Sequence, residues 1–298
     1  MKTSILTRVF LVWACLLSGQ SAAQIQPETL TKASNLVETA TNPESPAAHS
    51  SDLTEKAVTQ NQAAFDTVKI AILIDDLGYN LRQGVAAARL PGALTLAVLP
   101  HSPNGIAIAE LGHQQGKLIM LHAPMSNVQR LPLDAGGLTE TMSQQEFVDV
   151  LYQNLEAIPH VQGLNNHMGS YLTQLDAPMA WLMETLAREN LFFIDSRTSA
   201  QSIAWETAQS FHVPTRKRDV FLDNKRDQAA IGEQFDQLLR IAKRRGNAIA
   251  IGHPYPETIA FLAGVIPSLH ELGVELVPVT QLIPASHTGD GTSRLSQQ

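Results

Sequence analysis

IAILIDDLGYN, residues 70–80, decides the fold of this chain. An apolar, β-branched run over residues 70–74 stops at two adjacent carboxylates, Asp75 and Asp76, and a glycine follows at Gly78. A strand buried on both faces of a parallel sheet reads as such an unbroken run, and the carboxyl ends of parallel strands are where α/β folds place their ligands. One Asp in that position is as readily the N-cap of the next helix. Two in a row repel each other unless a cation or a shared proton offsets the charge, so the pair is a candidate site.

Outward from this stretch, apolar strand-like runs alternate with helical periodicity. Residues 80–90 carry helical spacing closed by Pro91 and Gly92, LTLAVL is a second strand, and Ser102 with Pro103 reads as the entry to a helix that Gly116 ends. KLIMLH ends at His122, and a loop with Gly136 and Gly137 leads to a helix whose Ser143 and Glu146 form a capping box. VQGLNNH ends at His167, Asp176 is placed to cap the next helix, and LFFID ends at Asp195. RDVFLDN is a possible sixth strand. A long amphipathic helix over residues 227–245 stops at Gly246, NAIAIGH ends at His253, and a helix over 256–272 precedes VELVPV. Alternation of this kind predicts a parallel sheet with helical crossovers, and seven or eight strands in about 220 residues fit a closed or nearly closed (β/α) barrel. An open doubly wound sheet is the alternative, although Gly78 stands without the further glycines of a phosphate-binding fingerprint.

The flanks read differently. Lys2 and Arg8 precede an apolar run over residues 9–17, followed by Ser21, Ala22 and Ala23, which is the layout of a secretory signal peptide spanning 1–23. Its apolar core is too short for a comfortable membrane span. Residues 24–66 are polar and aperiodic and read as a disordered linker, 67–285 as the barrel, and 286–298 as a disordered tail. The single cysteine falls inside the signal, so the mature chain offers neither disulfides nor thiolate ligands. Loss of Lys2 and Arg8 takes the 21 Lys and Arg to 19 against 28 Asp and Glu. An acidic exported chain of the periplasm or cell envelope is expected, with no nucleic-acid partner.

In a barrel all strand C-termini meet at one rim, so Asp75, Asp76, His122, His167, Asp195 and His253 are expected to converge there. Carboxylate and imidazole suit Zn²⁺ and other first-row divalent ions. One Asp and two His leave a coordination position for water, whose pKa the metal lowers to about 7, the chemistry of metal-assisted hydrolysis.

Six stretches in this order, IDDLG (74–78), LHAPM (121–125), GLNNHMGSYLT (163–173), FFIDSRTSA (192–200), RDVFLDN (218–224) and AIGHPYPET (250–258), resemble the divergent polysaccharide deacetylase family of exported bacterial proteins. The resemblance implies a NodB-like distorted (β/α) barrel of about seven parallel strands and removal of acetyl groups from a glycan, peptidoglycan or another envelope polysaccharide. It implies Asp75 as base, Asp76 as metal ligand, His122 as a second ligand, His253 as general acid and Asp195 as the acid orienting its partner. The typical pattern has a further ligand histidine where this chain has Ser126; His167, at the next strand end, is the expected substitute. Asn165, Asn166 and Arg197 are candidate substrate contacts, each with a structural role as the rival reading. Met120, Met125 and Met168 read as packing. Two other functions fit the same residues: a glycan- or protein-binding barrel with a degenerate site, and a glycosidase pairing Asp75 or Asp76 with Asp195 across a cleft.

Overall fold

A computed structural model describes residues 67–284, and the predicted signal, linker and tail lie outside the described residues. Nine parallel strands form one sheet in the order β6-β5-β4-β3-β2-β1-β8-β7, with β9 also on β1. β1 (Val68–Leu77) is the axis of this arrangement. Along one edge it pairs with β8 (Asn247–Gly252); on the other it pairs with β2 (Thr95–Val98) through its upper half and β9 (Val274–Leu276) through its lower half. β3 (Leu118–Met125), β4 (Val161–Met168) and β5 (Phe192–Asp195) continue outward from β2.

The end strands β6 (Thr215–Lys217) and β7 (Val220–Phe221) are consecutive in the chain. Between them Arg218 N–H donates to the Asp195 carbonyl and Asp219 N–H to that of Ile249, at 3.0 and 2.9 Å, so the backbone itself bridges the gap. The result is the distorted barrel that the strand pattern predicts. RDVFLDN supplies only the two residues of β7, and β6, three residues long, carries no legible pattern.

Alternation along β1 sorts the core into two parts. Ile70, Ile72 and Ile74 pack with helix residues such as Phe147, Leu182, Leu238 and Leu262. Ala71 and Leu73 face the other way, joining Ala97, Met120, Ile194, Ile249 and Ile251 together with Val277, Val279 and Leu282 from the C-terminal segment. The first set lies under the helices and the second fills the barrel. Each fully buried Ile or Leu contributes about 1.5–3 kcal/mol relative to exposure.

Helix ends follow local chemistry. The capping box of Ser143 and Glu146 opens the helix Gln144–Glu156, and Asp227 caps the helix Gln228–Arg245, which Gly246 ends in the left-handed conformation. Two expected caps differ. Asp176 is the first helical residue of Asp176–Arg188, with Leu175 at the cap position, and the helix after β2 begins at Gly105 with Asn104 before it. Ser102 instead donates its hydroxyl to the Leu99 carbonyl at 2.7 Å, bracing the strand end.

Candidate metal centre

The inward-facing positions of β1 continue from Ala71 and Leu73 to Asp75. Strict alternation would send Asp76 towards the helices. Instead the β1–β2 register shifts between Ile74 and Leu77, and Asp76 adopts φ 55°. That left-handed conformation costs a non-glycine residue about 1–2 kcal/mol, and Asp is among the residues that bear it best. The irregularity brings both carboxylates to the rim. Gly78 then turns the chain at φ 134°, packed so closely against Ser102 that a Cβ would overlap its side chain.

The same parity places the imidazoles. Leu118 and Met120 face inward and His122 is next in that set; Ile249 and Ile251 are followed by His253; on β4, Asn165 and His167 share a face. Asp76 Oδ1, His122 Nε2 and His167 Nδ1 come together in a triangle with edges of 3.1, 2.8 and 3.1 Å. Three ligands on one face of a tetrahedron with metal bonds near 2.0–2.1 Å stand about 3.3–3.4 Å apart. The triangle therefore fits an ion after an expansion of a few tenths of an ångström, and it contains two borderline-soft nitrogens and one hard oxygen, the donor set that zinc and its first-row neighbours accept. Ser126 lies outside it, its hydroxyl directed at the Leu138 carbonyl.

Each imidazole is oriented through its other nitrogen. Asn165 donates its amide to both Asp75 oxygens, at 3.0 and 2.9 Å, so its carbonyl oxygen is left to accept from His122 Nδ1 at 2.7 Å. This fixes the proton on Nδ1 and turns Nε2 to Asp76. His167 Nε2 faces Asp134 Oδ2 at 3.3 Å. Carboxylate and amide partners of this kind hold ligand histidines in register. Burial disfavours a charged His122, but Asp75 and Asp76 outweigh it and raise the imidazole to about 9. Burial likewise opposes ionisation of Asp76, yet its bonds to His122 and His167 prevail and hold it well below the carboxylate range. Asp75, 2% exposed, is pushed upward by burial against the pull of His122 and His253.

His253 closes the rim, with Nε2 3.6 Å from Asp76 Oδ2. Its partner is Asp223 rather than the predicted Asp195. Asp223 Oδ1 accepts from His253 Nδ1 at 2.9 Å, while Oδ2 accepts from the His253 backbone N–H at 2.6 Å and the Thr258 hydroxyl at 2.7 Å. Burial lowers His253, and the Asp223 hydrogen bond with the charges of Asp76, Asp223 and Asp75 more than reverses this, raising it. Asp195 has the opposite parity: Ile194 belongs to the barrel interior and Phe193 to the helix side. Its carboxylate accepts from Arg197 N–H at 2.7 Å and the Ser202 hydroxyl at 2.9 Å, organising the loop after β5. The same parity sets it apart from the barrel-facing positions that lead to Asp75.

The three candidate substrate contacts each make hydrogen bonds within the scaffold. Asn165 is fully buried between Asp75 and His122, and Asn166, 1% exposed, accepts from Ser196 N–H and donates to the Met168 carbonyl. Arg197 donates to the carbonyls of Ser202 and Ala200 in its own loop. Met120 and Met125 are buried as expected, and Met168 Sδ accepts from Asn127 at 3.2 Å. Asp134, Asp223 and Arg218 are the residues that sequence reasoning missed. Asp134 sits in a loop with no periodicity; Asp223 lies in RDVFLDN, and its place just after the apolar Val220, Phe221 and Leu222 was the available signal. Arg218 donates to the Ser196 and Arg197 carbonyls, at 2.7 and 3.0 Å, beneath the same rim.

A parallel sheet curled into a distorted α/β barrel, with acids and imidazoles gathered at the C-terminal ends of its strands, defines the class of this fold and its candidate metal site. The chain belongs to the divergent polysaccharide deacetylase family, whose model matches residues 72–283. It is 37% identical over 201 residues to the uncharacterized protein YibQ of Escherichia coli K12, covering 67% of this chain and 63% of that one. The aligned part thus spans less than two thirds of that relative. An uncharacterized protein of Haemophilus influenzae is 36% identical over 219 residues, covering 74% of this chain and 78% of that protein. Among solved structures, the uncharacterized protein ATU2773 of Agrobacterium tumefaciens C58 superposes with a TM-score of 0.70 at 25% identity, covering 73% of this chain and 89% of that one.

Proposed function

We propose that the protein is an exported, metal-dependent hydrolase that removes acetyl groups from a glycan of the cell envelope. The observation that carries this reading is the Asp76–His122–His167 triangle, flanked by Asp75 on one side and the His253–Asp223 pair on the other. Family membership supports the glycan, and the signal-like residues 1–23 support export.

Asp76, His122 and His167 would hold the ion, with Zn²⁺ the leading candidate for this donor set. A bound divalent ion supplies Lewis acidity and lowers the pKa of a coordinated water to about 7. Asp75, raised by burial, accepts the proton of the attacking water. His253, protonated through its pairing with Asp223, donates from Nε2 to the leaving nitrogen or oxygen. Asn165 couples Asp75 to His122, so base and ligand are positioned as one unit.

Binding without turnover is the second reading, and one observation favours it: Asp75 is only 2% exposed and both its oxygens already accept from Asn165. Acetate release from an N-acetylated oligosaccharide with added Zn²⁺ separates the two. Release that chelator abolishes and that Asp76→Asn loses is the expected result. Glycan binding with no acetate under any divalent metal would establish the second reading instead.

A further inference from the structure

We propose that the cleft between residues 127–131 and 198–201 binds an uncharged sugar unit of the glycan chain, next to the unit being deacetylated; this rests on the reading of the metal centre as a glycan-deacylating site. The cleft has a volume of about 490 Å³, within the range of small-molecule sites, and its lining residues are uncharged, Arg130 of the same loop not being one of them. An uncharged lining offers no ion pair to a charged ligand.

Both walls are tied to Met168, the residue after His167. Asn127 holds its own turn through Leu131 N–H and carbonyl and donates to Met168 Sδ at 3.2 Å, while Thr198 donates its hydroxyl to the Met168 carbonyl at 2.7 Å. The cleft is therefore built before ligand arrives and is fixed to the metal centre through one peptide bond. Its surface has the two halves that a pyranose requires. Val128 and Leu131, 55% and 53% exposed, offer apolar area to the C–H face of a ring. Opposite them, Gln174 donates its amide to the Ser170 carbonyl and Ser199 hydroxyl, and Gln201 Oε1 accepts from Ser199. Among the described residues this leaves the Gln174 carbonyl oxygen as an acceptor and the Gln201 amide as a donor. A hydroxyl group, which both donates and accepts, answers that pair.

The test uses the full chain and a β-1,4-linked N-acetylglucosamine tetramer, titrated by calorimetry in chelator so that no turnover occurs. Saturable binding is expected, weakened at least tenfold by Gln174→Ala with Gln201→Ala and again by Leu131→Asp, with thermal midpoints showing that the variants fold. Binding indifferent to all three changes overturns the inference, as does tighter binding of a neutral acetylated tetrapeptide at the same cleft. Acetate release is read separately with Zn²⁺. Loss of tetramer binding in the variants with no acetate from the wild type keeps the subsite and removes the hydrolase reading; acetate release with variant-insensitive binding does the reverse.

Discussion

His253 and Asp223 are joined by two of Asp223's three hydrogen bonds, and the carboxylate sets how strongly the imidazole holds its proton. Replacing Asp223 with Asn keeps the shape and removes the charge. Under the proposed mechanism kcat falls by about 10² with little change in KM, the scale of a lost general acid. Because the carboxylate raises His253, its removal moves the alkaline limb of the pH–rate profile to lower pH. An unchanged limb would mean that His253 is not the proton donor. His122 gives a second handle on protons. It is raised from 6.5 to about 9, so at pH 7 a metal taking Nε2 must displace a proton. Calorimetry of Zn²⁺ binding in buffers of different ionisation enthalpy should register release of close to one proton at pH 7 from this group, and affinity that climbs until about pH 9. In the metal-free protein the sign is opposite for folding. The stabilisation from His122 is complete below pH 6.5 and is lost as pH rises through about 9, which urea titrations at about pH 6.5 and 9.5 can check against His122→Asn.

At the scale of elements, β1 does two things at once: it carries the sheet's central pairings and, by breaking its own alternation at Asp76, presents two acids at one rim. The turn that follows has no room for a side chain. Gly78→Ala combines φ 134° with an overlap on Ser102, and a loss of more than about 1 kcal/mol in urea unfolding is expected. A variant as stable as the wild type would show that the turn after β1 can move away. Much of this element was legible in IAILIDDLGYN, because a continuous apolar run that ends in two charges fits a buried parallel strand and little else. His122 and His253 were legible for a related reason, since each ends an apolar run on the inward parity set by its neighbours; His167 ends the more polar VQGLNNH and shares its face with Asn165. The same parity, applied to LFFID, puts Asp195 with Phe193 on the helix side, so its pairing with His253 could have been rejected from the sequence. β6 was not legible, since three residues are too few for any period to emerge, whereas β7 is the two-residue part of RDVFLDN that pairs as a strand. Arg218 and Asp223 lie within that stretch but outside the two residues that pair.

Among the described residues the curled sheet brings together residues from β1, β3, β4 and the turn after β8, although 46 to 90 positions separate such partners as Asp76 with His122 and Asp75 with Asn165. A ligand that bridges three of these elements adds its binding energy to folding. Zn²⁺ at about a hundred times its dissociation constant should stabilise the fold by about 2.7 kcal/mol, visible as a rise in Tm. What sequence could not supply is distance: that His167, the expected substitute for the histidine missing at Ser126, comes within 2.8 Å of Asp76, and that Asp134 from a loop without periodicity backs it at 3.3 Å. The most direct measurement is a Zn²⁺ titration of wild type, His167→Ala and Ser126→His. One tight site is expected in the wild type, weakened at least a hundredfold by His167→Ala, with Ser126→His alone changing it little. Equal zinc affinity in wild type and His167→Ala would contradict the Asp76–His122–His167 centre.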